Sequence, residues 1–96
     1  MSHDLLVLDA KDNVATALRA LQEGECLEME VGDSTSEIAV LEPIAFGHKV
    51  ALVEIEVEQP VVKYGEIIGL ATRKIARGEH VHTHNVEGLK GRGERT

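Results

Sequence analysis

The residues best able to do chemistry in this chain lie in its last third. Lys63-Tyr64-Gly65 sets a lysine beside the only tyrosine, and His80-Val81-His82-Thr83-His84-Asn85 carries three of the five histidines. A strand alternates its side chains with a period of two. An extended 79–85 would therefore put His80, His82 and His84 on one face and Val81, Thr83 and Asn85 on the other. Two imidazoles on one face can converge on a single ion, and neutral imidazole nitrogen suits zinc, iron, nickel and copper. The spacing makes His82 and His84 candidate metal ligands, with a polar substrate close by. The bland alternative is a solvated edge strand, and His80, directly after a turn, is expected to be exposed.

These residues sit on a chain of 96 residues, enough for one compact domain and too short for two. Hydrophobic residues make up 43%, which argues for a packed core and against a disordered tail. Only 2% are aromatic, so Val, Ile, Leu and Ala must build that core, and the stacking platforms of single-strand nucleic-acid binders are missing. A formal net charge of −7 repels phosphate backbones, so nucleic acid is not an expected partner. The single cysteine, Cys26, cannot close an internal disulfide and reads as a small buried side chain. Neither a run long enough to cross a membrane nor a secretory leader is visible, so the expected compartment is the cytoplasm.

Leu5-Leu6-Val7-Leu8 reads as a first strand. Val14, Ala17, Leu18 and Leu21 then follow at i, i+3, i+4 and i+7, which predicts a helix from about Asn13 to Gln22. Asp12 or Asn13 would cap it and Gly24 would end it; Asp12-Asn13 in a substrate-facing loop is the other reading. Leu27, Met29 and Val31 alternate with glutamates as a half-exposed strand. Gly32 to Ser36 is turn chemistry, and Glu37 to Leu41 returns with Ile38 and Val40 on one face. Val50 to Ile55 is a further strand burying Val50, Leu52 and Val53, with His48 at its mouth. Ala51, Ile55 and Val61 recur 20 residues later as Ala71, Ile75 and Val81, which suggests two similar hairpins packed on each other. The glycine-rich, charged end reads as a linker. The fold class expected from the pattern is α+β, mainly β, with one N-terminal helix and several short strands.

Four linked stretches, in order, resemble one family: Lys11-Asp12-Asn13-Val14-Ala15, Gly47-His48-Lys49-Val50-Ala51-Leu52, Lys63-Tyr64-Gly65-Glu66-Ile67-Ile68-Gly69-Leu70-Ala71-Thr72, and Gly78-Glu79-His80-Val81-His82-Thr83-His84-Asn85. The match, over about 5–87, is to the N-terminal SAF-type (antifreeze-like, β-clip) domain of altronate and galactarate dehydratases. The same unit occurs as the separate small subunit of sulfolactate sulfo-lyase. The resemblance implies a SAF-like domain over 1–87 and a flexible tail or linker over 88–96. It also implies a lyase acting on a hydroxy acid, removing a proton beside a carboxylate and expelling water or sulfite. A divalent metal, iron(II) or manganese in its place, would stabilise the carbanion. On the matching positions, His82 and His84 take a metal role, Lys63 and Tyr64 a catalytic one, and His48 and Asn85 a substrate-binding one. The family's catalytic machinery lies largely in a second, larger part. The implied partner is thus a larger catalytic subunit, with altronate, galactarate or sulfolactate as substrate and self-association as a further option. A free-standing SAF module that binds a carbohydrate or acidic ligand without chemistry is the alternative function.

Overall fold

In the computed structural model, which describes residues 4–31 and 34–88, nine short strands and their turns make up the domain. β1 (Leu5–Leu6), β2 (Val14–Ala17), β5 (Lys49–Ala51) and β8 (His80–Val81) form an antiparallel sheet in the order β1-β2-β5-β8. β3 (Cys26–Val31) and β4 (Ser34–Ala39) pair as a hairpin. β6 (Pro60–Lys63), β7 (Glu66–Ala71) and β9 (Val86–Gly88) make a third sheet. Ser34 to Ser36, expected as turn, already belong to β4, and Gly32 and Asp33 lie outside the described residues. Gly88, placed in the tail by sequence, is in β9 and pairs with Gly69; most of the tail, like His3, lies outside the described residues.

The expected helix over Asn13–Gln22 is absent, and no helix occurs among the described residues. The apolar positions misled because the four-stranded sheet is covered on both faces. Val14 faces a core with Ala51, Ile55, Val61, Ala71, Ile75 and Val81. Ala15 and Ala17 face the opposite core, with Leu21, Leu27, Ile38, Val40, Ile44 and Val50. A strand buried on both faces loses its simple alternation, and here it mimics a helical stripe. Leu18, which a helix would have buried, is 40% exposed. Asp12 and Asn13 do not cap a helix. Asn13 Oδ1 accepts the Val62 amide at 2.7 Å and Asn13 Nδ2 donates to the Pro60 carbonyl at 2.9 Å. Asp12 Oδ1 accepts the Gly65 amide at 2.8 Å. Both residues tie β2 to the β6–β7 hairpin.

The repeat read in the sequence is real and larger than it looked. Four segments among the described residues share the spacing aliphatic-x3-aliphatic-x5-aliphatic: Ala17/Leu21/Leu27, Val40/Ile44/Val50, Ala51/Ile55/Val61 and Ala71/Ile75/Val81. All twelve residues are buried. Each segment is an arch rather than a hairpin, and the arches work in pairs. Leu21 and Ile44 bridge the first two through 2.8 and 2.9 Å backbone bonds, and Ile55 and Ile75 bridge the last two at 2.8 Å each. Each pair sits at the heart of one core. The seventh residue after the first aliphatic has positive φ in every arch: Gly24, Gly47, Glu58 and Gly78. Its amide donates to the first residue of the paired arch, at 2.7–2.8 Å. At Gly78 a side chain would strike the Ala39 carbonyl as well, so both backbone angle and space exclude anything larger there.

Two smaller expectations also change. The β5 strand stops at Ala51, and Val53 beyond it is 51% exposed. Cys26 is exposed rather than buried.

Candidate metal centre

The arches explain where the histidines stand. In three of the arches the eighth residue after the first aliphatic closes the turn. Glu25 accepts the Gln22 amide at 2.6 Å, Gln59 the Glu56 amide at 2.8 Å, and Glu79 the Ala76 amide at 2.9 Å. In the second arch that position is His48. Its ring turns away from the turn and towards β8, where Nδ1 lies 2.9 Å from Nε2 of His80. The His48 and His82 rings stack with centroids 4.2 Å apart and planes 13° from parallel. Ring nitrogens of His48, His80 and His82, one from each, lie within 4.8 Å of one another. All three side chains are half-buried.

The extended 79–85 segment expected from the alternation is not formed. Only His80–Val81 is strand; His82 to Asn85 is a turn. Asn85, fully buried, builds that turn: its Oδ1 accepts the His82 amide at 2.9 Å and its Nδ2 donates to the His80 carbonyl at 2.8 Å. The turn swings His82 onto His48 and leaves His84 exposed, its ring tilted 38° to that of His80 at 5.0 Å. The tight set is thus His48, His80 and His82, with His84 at its border. His80, expected to be exposed directly after a turn, is half-buried instead. The signal for His48 was available: it is the one arch position of its kind occupied by neither Glu nor Gln.

The electrostatics favour neutral imidazoles at the cluster. Burial, then the charges of His84 and His48, hold the His80 imidazole below its ordinary value, with Glu42 pulling the other way. Glu42 also accepts the His80 amide at 3.2 Å. Burial, then His48 and Lys49, hold His82 down in the same sense. Both shifts favour the neutral ring, the form that binds metals. His82 Nδ1 is buried with no hydrogen-bond partner. Buried polar atoms are nearly always paired, so the orphaned nitrogen and the clustered donors fit a bound metal ion.

Lys63 and Tyr64 lie at the tip of the β6–β7 hairpin. Tyr64 and Gly65 both have positive φ, 55° and 79°, in a two-residue turn between the paired Lys63 and Glu66. Tyrosine is an uncommon occupant of that conformation. Its hydroxyl shares a 3.0 Å hydrogen bond with Thr16 of β2, and Lys63 Nζ lies 4.9 Å from its ring centre. A depression of about 640 Å³ lies elsewhere, between Met29, Leu52 and Arg77. Its Asp12 carboxylate and Arg77 guanidinium are spent on backbone groups. A smaller one, about 190 Å³, is lined by His82 and Lys49.

A compact domain of paired β-arches with a histidine cluster at one sheet edge has clear relatives. The family model for the altronate/galactarate dehydratase SAF domain matches residues 3–89, and the chain belongs to that family. It is 46% identical over 77 residues to altronate dehydratase of Bacillus subtilis (strain 168), covering 80% of this chain and 15% of that one. It is 37% identical over 90 residues to (2R)-sulfolactate sulfo-lyase subunit alpha of Chromohalobacter salexigens, covering 91% of this chain and 96% of that one. The chain thus spans about 15% of the altronate dehydratases it matches and almost all of a sulfo-lyase subunit. Among the described residues no helix is long and apolar enough to cross a membrane.

Proposed function

We propose that this chain is the small subunit of a metal-dependent hydroxy-acid lyase, acting in the cytoplasm, and that it completes the active site of a larger catalytic subunit. The observation that carries the reading is the convergence of His48, His80 and His82 nitrogens within 4.8 Å. The relatives support the rest: the same unit accounts for a small part of long dehydratases and for nearly all of a lyase subunit. His48, His80 and His82 would hold the metal, with His84 close enough to join them. Imidazole donors favour iron(II) over manganese, which prefers oxygen. The metal, when bound, supplies Lewis-acid stabilisation of negative charge on the substrate.

The chain's own residues supply the remainder. Lys63 offers a cation to a substrate carboxylate. Tyr64 Oη, held by Thr16, would give or take a proton at the hydroxyl or leaving group. Asn85 serves by fixing the turn that aims His82. Proton removal beside a carboxylate, followed by loss of water or sulfite, is the reaction class.

The test is to co-purify the chain with its larger partner, assay the metal, and measure turnover of altronate, galactarate and sulfolactate. A stoichiometric complex with iron, active on one of the three and inactive as the His82→Ala variant, is the expected result. A chain that purifies alone, folded and unable to bind iron(II), overturns the reading.

A further inference from the structure

The 190 Å³ pocket beside His82 is formed by Lys49, Ile68, Thr83, Val86 and Gly88. Lys49 is half-buried there, on the face of β5 that Thr16 shares as its cross-strand partner. Thr16 in turn holds Tyr64, which Lys63 overlies. Lys63 is near enough for its charge to act on Lys49. The sequence carries 17 acidic and 10 basic residues, so a lysine placed at random would readily find a carboxylate. Lys74, Arg19 and Arg73 do so, whereas Lys11 and Arg77, both exposed, do not. No ion pair to Lys49 or Lys63 occurs among the described residues. An ammonium group held partly out of water in a pocket, with no carboxylate beside it among the described residues, costs stability unless an anion joins it. The pocket's other walls, Ile68 and Val86, are apolar and strengthen any charge interaction made inside it.

We infer that Lys49 anchors an anionic head group in this pocket, and that the pocket between β5, β7 and β9 is the seat of a carboxylate-bearing hydroxy acid beside the histidine cluster. The inference rests on the proposed function for the hydroxy-acid class of the ligand, and on the pocket itself for the anion. Lys63 and Tyr64 then close the outer side of the same ligand, and the apolar walls admit its carbon chain. A sulfonate would satisfy the same lysine, because it too presents oxygens with a negative charge.

The test uses the isotopically labelled 96-residue chain, kept metal-free with chelator, and follows backbone amide shifts on addition of galactarate or sulfolactate at constant ionic strength. Shifts confined to 47–50, 63–64, 67–69, 81–83 and 86–88 are expected, with affinity falling at least about tenfold in Lys49→Met and recovering in Lys49→Arg. The unperturbed remainder of each variant's spectrum serves as the folding check. Galactarate alone binding identifies a carboxylate seat, and sulfolactate alone a sulfonate seat; either supports the inference. Equal shifts with sodium chloride, no shifts at millimolar ligand, or unchanged binding in Lys49→Met each overturn it. A parallel iron(II) titration keeps the two readings apart. Anion binding without metal binding sinks the histidine site and leaves this pocket standing, and the converse sinks the pocket alone.

Discussion

Replacing His48 by glutamine separates the two roles that this position can hold. In the other three arches the residue at this place closes the turn by accepting an amide three residues earlier. His48→Gln supplies the same bond to the Ala45 amide, worth about 0.5–1.5 kcal/mol net. It also removes the 2.9 Å bond between His48 and His80, which belongs to the same range of about 0.5–1.5 kcal/mol. The two terms nearly cancel, so the unfolding free energy of the metal-free chain should stay within about 1 kcal/mol of the parent. For a domain of this size that is a midpoint shift of no more than about 4–8 °C. Metal affinity should respond very differently. Loss of an outer-shell partner alone costs 10- to 100-fold, so loss of one of three ligands should cost at least about 100-fold. Calorimetric unfolding and competition with a coloured chelator for iron(II) read the two quantities separately. A loss of about 3 kcal/mol or more would make His48 a packing residue. Unchanged metal affinity would remove it from the site. Either result refutes the argument that this arch gave up its turn-closing residue for a ligand.

Three other perturbations follow from the same geometry. Tyr64→Asn puts at φ 55° a residue that tolerates it, so stability should hold or rise by up to about 1 kcal/mol, while turnover by the assembled enzyme falls about 100-fold or more; a stable variant with full turnover would take Tyr64 out of the mechanism. Gly24→Ala has only the backbone angle to overcome, since nothing lies within 4 Å of the added methyl, and should cost about 1–2 kcal/mol in urea unfolding. Gly78→Ala adds a collision with the Ala39 carbonyl and should cost clearly more or abolish folding; equal costs at the two positions would show that the arches are not packed as described. Acidification should weaken metal binding, because protons compete for imidazole nitrogen. His80 and His82 are held below the ordinary imidazole value, so they stay neutral further into the acid range and the loss should begin below the ordinary pKa of about 6.5. A loss beginning above that value would contradict the burial argument.

How much of this was legible in the sequence depended on what each residue faces. The arch spacing was readable at Ala51/Ile55/Val61 and Ala71/Ile75/Val81 because three aliphatic positions recur without a gap. The first two arches are interrupted by the β3–β4 hairpin, whose own alternation hid them. The strand at Val14–Ala17 was illegible because both of its faces are buried, which removes the period on which a strand is recognised. Lys63, Tyr64, His82 and His84 stand out by residue type and spacing, and His48 and Asn85 only through the family resemblance, as substrate-binding candidates. His48 and His80 entered the tight cluster through a cross-strand pairing of β5 with β8, a long-range fact no local spacing carries. The same pairing was needed to place Lys49 beside His82.

The arch pairs also account for the position of the site. Each pair closes on itself through backbone bonds, so its stability needs little from the side chains at the turns. A turn position in such a frame can exchange its amide-accepting Glu or Gln for another residue at a cost of about 1 kcal/mol. The second arch is where that exchange places a side chain at the sheet edge next to β8, and β8 runs directly into the Asn85-locked turn. The frame thus brings a free imidazole from one arch against two from the segment that leaves another. On the opposite face of the same edge, Thr16 and Lys49 end the apolar row begun by Val14 and Ala51. There the β6–β7 tip lays Tyr64 against Thr16. One end of the sheet therefore carries the clustered His48, His80 and His82 nitrogens and, beside them, a Lys49 ammonium with no ion pair among the described residues. A hydroxy acid, with a carboxylate to be held and an oxygen to be polarised, has the chemical form to span it.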